Sequence, residues 1–319
     1  MIEQGQINKS KAVNNHIIAI GGGKGGTGKS LITATIGICL ANRGNSVLLI
    51  DADLGTANLH TLLGLKPPKQ GLSDFVSKKG STISGIISKT GINNLKLISG
   101  ANDMIGIANL SYGQKIKVLN HIKKLNYRYI LIDLGPGTSF NILDFFLISN
   151  CGILITSPEP TSIENTYRFI KGLLFRHLRK TISKKVVRSL IDNGIRQRNG
   201  HKFESVFDLL ETIETIEPRL GDTISGYLST LDIKLIVNQV RTSKDRAIGQ
   251  QMAIAAKKHF GIPIDFLGNV GHDTKIWKGI RQKKPLMAYL PYSKAFNELT
   301  EITQEISPRY QLGLDFPVD

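Results

Sequence analysis

The sequence predicts an α/β fold: a mostly parallel, twisted sheet with helices on both faces and one helical insertion. Three observations predict it. Short runs that are apolar throughout, such as Ile17–Ile20, Val47–Ile50, Tyr129–Ile132 and Ile153–Ile155, alternate with helical stretches. A glycine-rich loop joins the first run to the first helix, and aspartates end two of the runs. A strand that is apolar throughout is buried on both faces, which is the condition of strands in a parallel sheet covered by crossover helices. In such sheets ligands gather at the carboxyl ends of the strands.

In chain order, residues 1–15 read as a flexible arm. The first strand and the glycine loop follow, then a helix from about Gly28 to Arg43 that Gly44 can cap. Ser46–Asp51 is a second strand, Ala57–Leu63 a short helix, and 64–80, with Pro67-Pro68, a run of surface loops. Leu95–Ser99 reads as a strand. Gln114–Leu125 reads as a helix from the spacing of Ile116, Leu119 and Ile122. Two more strands, Tyr129–Asp133 and Gly152–Thr156, precede a long helix over Ser162–Arg179. Residues 176–230 exceed one crossover helix and read as the helical insertion. The sheet resumes at Ile233–Asn238 and Ile264–Val270, flanked by helices over Ser243–His259 and Tyr292–Glu305. Residues 16–306 thus form one domain, and 307–319 a tail.

The loop carries the first chemistry. Gly23 to Ser30 has the spacing G-x-x-x-x-G-K-S between a strand and a helix, which makes a phosphate cradle. Gly25, Gly26 and Gly28 can turn successive N–H groups toward one anion, with Thr27 between them, and the helix opening at Lys29-Ser30-Leu31 adds its positive end. Lys29 supplies charge for the β- and γ-phosphates, and Ser30 a hydroxyl for Mg²⁺. Asp51, Asp53 and Asp133 stand at strand ends beside this loop. Oxygen ligands of this kind suit magnesium, which keeps much of its water. Asp133 follows four apolar residues, as a Walker B aspartate does. Gly135-Pro136-Gly137 follows it, and an unhindered N–H at Gly135 could sense the γ-phosphate.

Lys24 is a second lysine in the loop, and an ordinary phosphate loop does not need it. The run Lys24-Gly-Gly-Thr-Gly-Lys-Ser30 resembles the deviant Walker A motif of the MinD/ParA family of ATPases. Asp51-Ala-Asp-Leu-Gly-Thr-Ala-Asn-Leu59, Leu62–Leu65 and Ser157–Ser162 resemble its MinD-type members, closest to the flagellar-number regulators of the FlhG (FleN) branch. The resemblance implies ATP and Mg²⁺ as ligands, and an ATP-dependent homodimer in which Lys24 reaches the partner's phosphates. It also implies slow hydrolysis that ends the signal. By the same resemblance Asp53 positions or activates the attacking water and Asp51 supports the metal shell with Ser30 and Asp133. Asn238 and Arg241 lie on the adenine side, with the Val270–Asp273 turn beside them. The implied role is regulation of flagellar number or placement, or positioning of another cargo through a partner protein. A DNA-binding partitioning ATPase of the ParA kind is the first alternative. A metallocluster carrier or reductase, or an amide ligase sharing the loop, is the second.

Bulk properties narrow the partners. With no run of eighteen apolar residues, no transmembrane helix is expected, and the polar start predicts no secretory signal. Cys39 and Cys151, the two cysteines, form no C-x-x-C pair and read as reduced core residues of a cytoplasmic protein. The net charge of +16 favours polyanions. Residues 176–202 hold nine basic side chains, Arg176 to Lys202, against Asp192 alone. They form a candidate dock for DNA or an anionic membrane, with transient membrane or nucleoid association. The tail, with Pro308, Gly313 and Pro317, is not expected to form the basic amphipathic helix by which MinD relatives dock on lipid.

Overall fold

The computed structural model describes residues 15–53, 57–77, 82–100, 111–181, 211–215, 224, 226, 228, 231–282 and 284–306. Its strands are β1 (His16–Gly21), β2 (Val47–Asp51), β3 (Ser88–Lys89), β4 (Leu95–Ile98), β5 (Tyr129–Asp133), β6 (Cys151–Thr156), β7 (Ile233–Val240) and β8 (Ile264–Gly271). They form one sheet in the order β3-β4-β2-β5-β1-β6-β7-β8. Every pairing is parallel except that of β3 with β4. The expected sheet is therefore present, with a short reversed strand at one edge.

Alternation explains why the runs are apolar throughout. Ile17 and Ala19 of β1, Leu48 and Ile50 of β2, and Ile130 and Ile132 of β5 enter one core. Their neighbours Ile18, Ile20, Val47, Leu49, Tyr129 and Leu131 enter the other. On the second face lie α1 (Lys29–Asn42) and a C-terminal helix (Lys294–Ile306) that packs on it. On the first face lie helices over Tyr112–Ile122, Phe140–Phe146 and Pro160–Thr181, here α4, α5 and α6 after α2 (Leu59–Leu62) and α3 (Leu72–Ser77). Ile213, Ile224 and Leu228, from the predicted insertion, are buried in that same core with Leu178 of α6. The rest of 182–230, the arm over 1–14 and the tail over 307–319 lie outside the described residues, and with them most of what the sequence predicts there.

Three local readings are corrected. Residues 72–77, read as part of surface loops, form α3, whose Leu72 and Phe75 are buried at i, i+3; the prolines and glycines around it masked one short turn of helix. The helix expected over Ser243–His259 is two, α7 (Ser243–Arg246) and α8 (Ile248–Phe260), since Thr242 and Asp245 make a capping box that closes a turn of its own. Trp277 sits on a helix the sequence reading did not place, α9 (Thr274–Arg281), which Asp273 caps by accepting from the Lys275 N–H at 2.8 Å. Cys39 and Cys151 are buried and unbridged. No helix among the described residues is long and apolar enough to cross a membrane.

Candidate nucleotide site

The strand ends converge where the topology sends them. Leu134 N–H donates to Ile20 O at 2.9 Å and Ala52 N–H to Asp133 O at 2.8 Å, so the loops after β1, β2 and β5 are knitted together. Asp51 and Asp133 are register partners across β2 and β5.

The loop Gly22–Gly28 leaves β1 and turns into α1. Gly28 has φ +92°, and a Cβ there would lie 2.3 Å from Asn238 Nδ2. At Gly23 a Cβ would lie 2.1 Å from the Asn165 carbonyl oxygen of α6, a backbone atom that cannot swing aside. Gly23→Ala is expected to cost on the order of 1–3 kcal/mol of stability, measurable by thermal or denaturant unfolding; an unchanged midpoint would mean the loop does not lie this close to α6. Two amides from the end of β7 hold the loop's far side. Asn238 Nδ2 donates to Thr27 O at 2.8 Å, and Gln239 Nε2 to Gly26 O at 2.9 Å. Gln239 takes φ +63°, a left-handed conformation at a bulge between β7 and β8. The sequence reading missed Gln239, because a bulge leaves no spacing signature.

The two loop lysines go different ways. Lys29 is buried, and its Nζ donates to Lys24 O at 3.1 Å, so the ammonium is curled under the loop. Burial lowers its pKa, with Asp133 and then Asp53 opposing. Lys24 keeps 35 % of its side chain exposed and reaches out of the loop to Glu159, with a second bond of 2.9 Å to Thr161 Oγ1. Glu159 and Thr161 flank the start of α6, within the segment Ser157–Ser162.

The carboxylates surround the loop's base. Asp133 is buried, accepts from Thr33 Oγ1 at 3.2 Å and is hydrogen-bonded by Ser30. Burial pushes its pKa up to about 6, against the hydroxyls and the Lys29 charge. Asp51 is pushed up to about 8 by burial and then by Asp133. Both Asp51 oxygens accept backbone N–H groups, from Asp53 at 3.2 Å and from Leu59 at 3.0 Å, so here it anchors the segment that starts α2. Asp53 lies against Gly135, where a Cβ would come within 3.2 Å of its carboxylate. Among the described residues no three His, Cys, Asp or Glu side chains converge as a metal cage. The donors present, a serine hydroxyl beside a buried carboxylate that keeps a raised pKa even with Lys29 nearby, fit a hard divalent cation whose other ligands are phosphate and water. Ser30 and Asp133 are the residues that would hold it.

Two cavities meet over the loop. One, about 430 Å³, is lined by Gly25, Lys29, Ser30, Asp53, Asn58 and Pro136, among others. The other, about 390 Å³, extends from Gly26, Gly28 and Leu31 to Asn238, Arg241, His272 and Trp277. Gly26, Gly28, Leu31 and Ile280 line both. Phosphates on the loop would thus have the carboxylates on one side and room for a sugar and base on the other. Arg241 lies at the rim, its N–H donating to Asp245 Oδ2 at 2.9 Å.

Arg176 does not join a basic docking face. It donates to Asp144 from Nε and from one terminal nitrogen, each at 2.7 Å, and Lys115 pairs with the same carboxylate. All three side chains are largely buried. The remaining basic positions of 182–202 lie outside the described residues.

Comparison with known proteins gives matches along most of this frame. Residues 18–301 match the family model described as CobQ/CobB/MinD/ParA nucleotide binding domain. The chain is 31 % identical over 158 residues to the antiactivator FleN of Pseudomonas aeruginosa, covering 49 % of this chain and 56 % of that protein. It is 31 % identical over 167 residues to the flagellum site-determining protein YlxH of Helicobacter pylori, covering 50 % and 53 %. The chain thus spans about half the length of the curated relatives it matches. Among solved structures it resembles the septum site-determining protein MinD of Pyrococcus horikoshii complexed with Mg-ADP, with TM-score 0.62 and 23 % identity over 92 % of this chain and 96 % of that one; a likeness at that identity speaks for the fold.

Proposed function

The chain belongs to the CobQ/CobB/MinD/ParA nucleotide binding domain family, and on that footing we propose that it is a MinD/ParA-type ATPase. It binds Mg-ATP, dimerises on ATP and hydrolyses it slowly as a molecular switch. Its partial likeness to FleN and YlxH favours a role in flagellar number or placement, and a cargo of another kind is the wider reading. The cellular setting is cytoplasmic, with transient membrane or nucleoid association through a partner or the basic surface.

The observation that carries this reading is the divergence of the two lysines in one loop. Lys29 is buried where a bound triphosphate would meet its ammonium, and Lys24 points away toward the rim at Glu159. Phosphoryl transfer needs positioning and charge neutralisation more than covalent work. Lys29 holds the β- and γ-phosphates, and Asp53 orients the attacking water beside Gly135. The Gly135 N–H senses the γ-phosphate. The partner's Lys24 adds the positive charge that a lone subunit lacks. A magnesium ion at Ser30 and Asp133 would supply further neutralisation of the phosphates.

The test compares wild type with Lys24→Ala by light scattering and phosphate release. Wild type is expected to be monomeric with ADP and dimeric with ATP. Lys24→Ala should still bind ATP, stay monomeric and release phosphate at the rate of the isolated subunit. Normal dimerisation and turnover by that variant would defeat the cross-subunit role, and a wild type indifferent to ATP would defeat the whole reading. The +16 charge favours DNA binding as a second reading. A gel shift that requires ATP and fades with salt would support it.

A further inference from the structure

Trp277 stands in the outer cavity with half its surface exposed, 51 %, and Ile280 one turn later at 43 %. Large apolar side chains left open beside a loop built for anions mark a place where a ligand completes the surface. The cavity runs without interruption from Gly26 and Gly28 to Trp277, so it is continuous with the phosphate cradle. We infer that Trp277, with Ile280 beside it, is the stacking wall for the purine ring of the bound nucleotide; this rests on the nucleotide reading above and names a residue for its base.

The wall is prebuilt. Asp273 caps α9 and also accepts from the Lys294 N–H at 3.0 Å, tying the helix to the C-terminal one. Ile276 is buried beneath it, and Gly279 has no Cβ where one would lie 2.5 Å from the Tyr289 ring. Lys275 Nζ donates to Tyr292 O at 2.9 Å. The helix that carries the indole is therefore held in place before a flat ring arrives. Arg281 stands over it with the guanidinium carbon 4.7 Å from the ring centroid and does not line the cavity, so the cation covers the indole from outside. A stacking face attracts any purine, because every base has a π-face. Recognition of one base over another then falls to groups that meet its edge, and Trp277 sets affinity without choosing.

Trp277 is the sole tryptophan of the sequence, so its emission reports this position alone. The experiment measures binding of Mg-ATP, Mg-GTP and inorganic tripolyphosphate to the full chain by calorimetry, alongside emission. Wild type should show changed emission with ATP and with GTP, and none with tripolyphosphate. Trp277→Ala should weaken both nucleotides by about tenfold, leave tripolyphosphate unchanged, and Trp277→Phe should recover most of the loss. Equal weakening of ATP and tripolyphosphate would overturn the inference, because the damage would lie in the loop. So would ATP affinity unchanged in Trp277→Ala, with wild-type binding intact; that result leaves the nucleotide reading standing. Failure of wild type to bind either ATP or tripolyphosphate would remove both.

Discussion

Lys29→Met is expected to weaken Mg-ATP binding by about 2–5 kcal/mol, roughly thirtyfold to several thousandfold, because it removes a buried cation from a charge pair with phosphate. Nucleotide-free stability should not fall with it. Burial already disfavours the ammonium, lowering the Lys29 pKa below 10.5. For a base with a lowered folded pKa the destabilisation is fully present below that pKa and fades as pH rises toward the unfolded value. A methionine of similar length carries no such charge, so the variant's melting temperature at neutral pH should equal or exceed wild type. Calorimetric titration and thermal melts with and without Mg-ATP check both halves. Wild-type ATP affinity in the variant would remove Lys29 from the phosphate site, and a large drop in nucleotide-free stability would show the ammonium to be structural.

Asp144→Asn is expected to cost about 3–5 kcal/mol of stability, since it leaves two buried cations around a neutral amide. Arg176 from α6 and Lys115 from α4 both close on this carboxylate of α5. Removing the anion strands their charges and sets them against each other. Unfolding midpoints in urea should show the loss. A second change, Lys115→Met, should restore part of it in the Asp144→Asn background while destabilising wild type, which is the sign of coupling within one network. Additive effects of the two changes would mean the three groups do not act as a unit. The position has consequences for the site, because α5 begins just after Gly135-Pro136-Gly137 and α6 begins beside the partners of Lys24.

Much of the frame was legible because its signals are local. The apolar runs of β1, β2, β5, β6 and β7 need only two covered faces to explain them. The loop from Gly23 to Ser30 is a contiguous pattern, and Asp51, Asp53 and Asp133 sit at strand ends that the runs themselves delimit. The fold over these residues stands as expected. What was not legible depends on distant neighbours. Arg176 reads as part of a basic tract, and only the packing of three helices turns it inward onto Asp144. Lys24 shows its pattern in the loop, but Glu159 and Thr161, 135 and 137 residues on, show none as its partners. Asp51 is expected on the metal side from the resemblance, and its bonds to the Asp53 and Leu59 N–H groups, which no pattern in the sequence announces, give it an anchoring role here. Trp277 sits in a stretch too short and too charged for its helix to stand out.

The two-residue strand β3, with Ser88 and the exposed Lys89, closes one margin of the sheet running against its neighbour. So short a margin offers another polypeptide almost no ladder to copy, and the lysine repels a like strand. Growth of copies edge to edge is therefore disfavoured on that side.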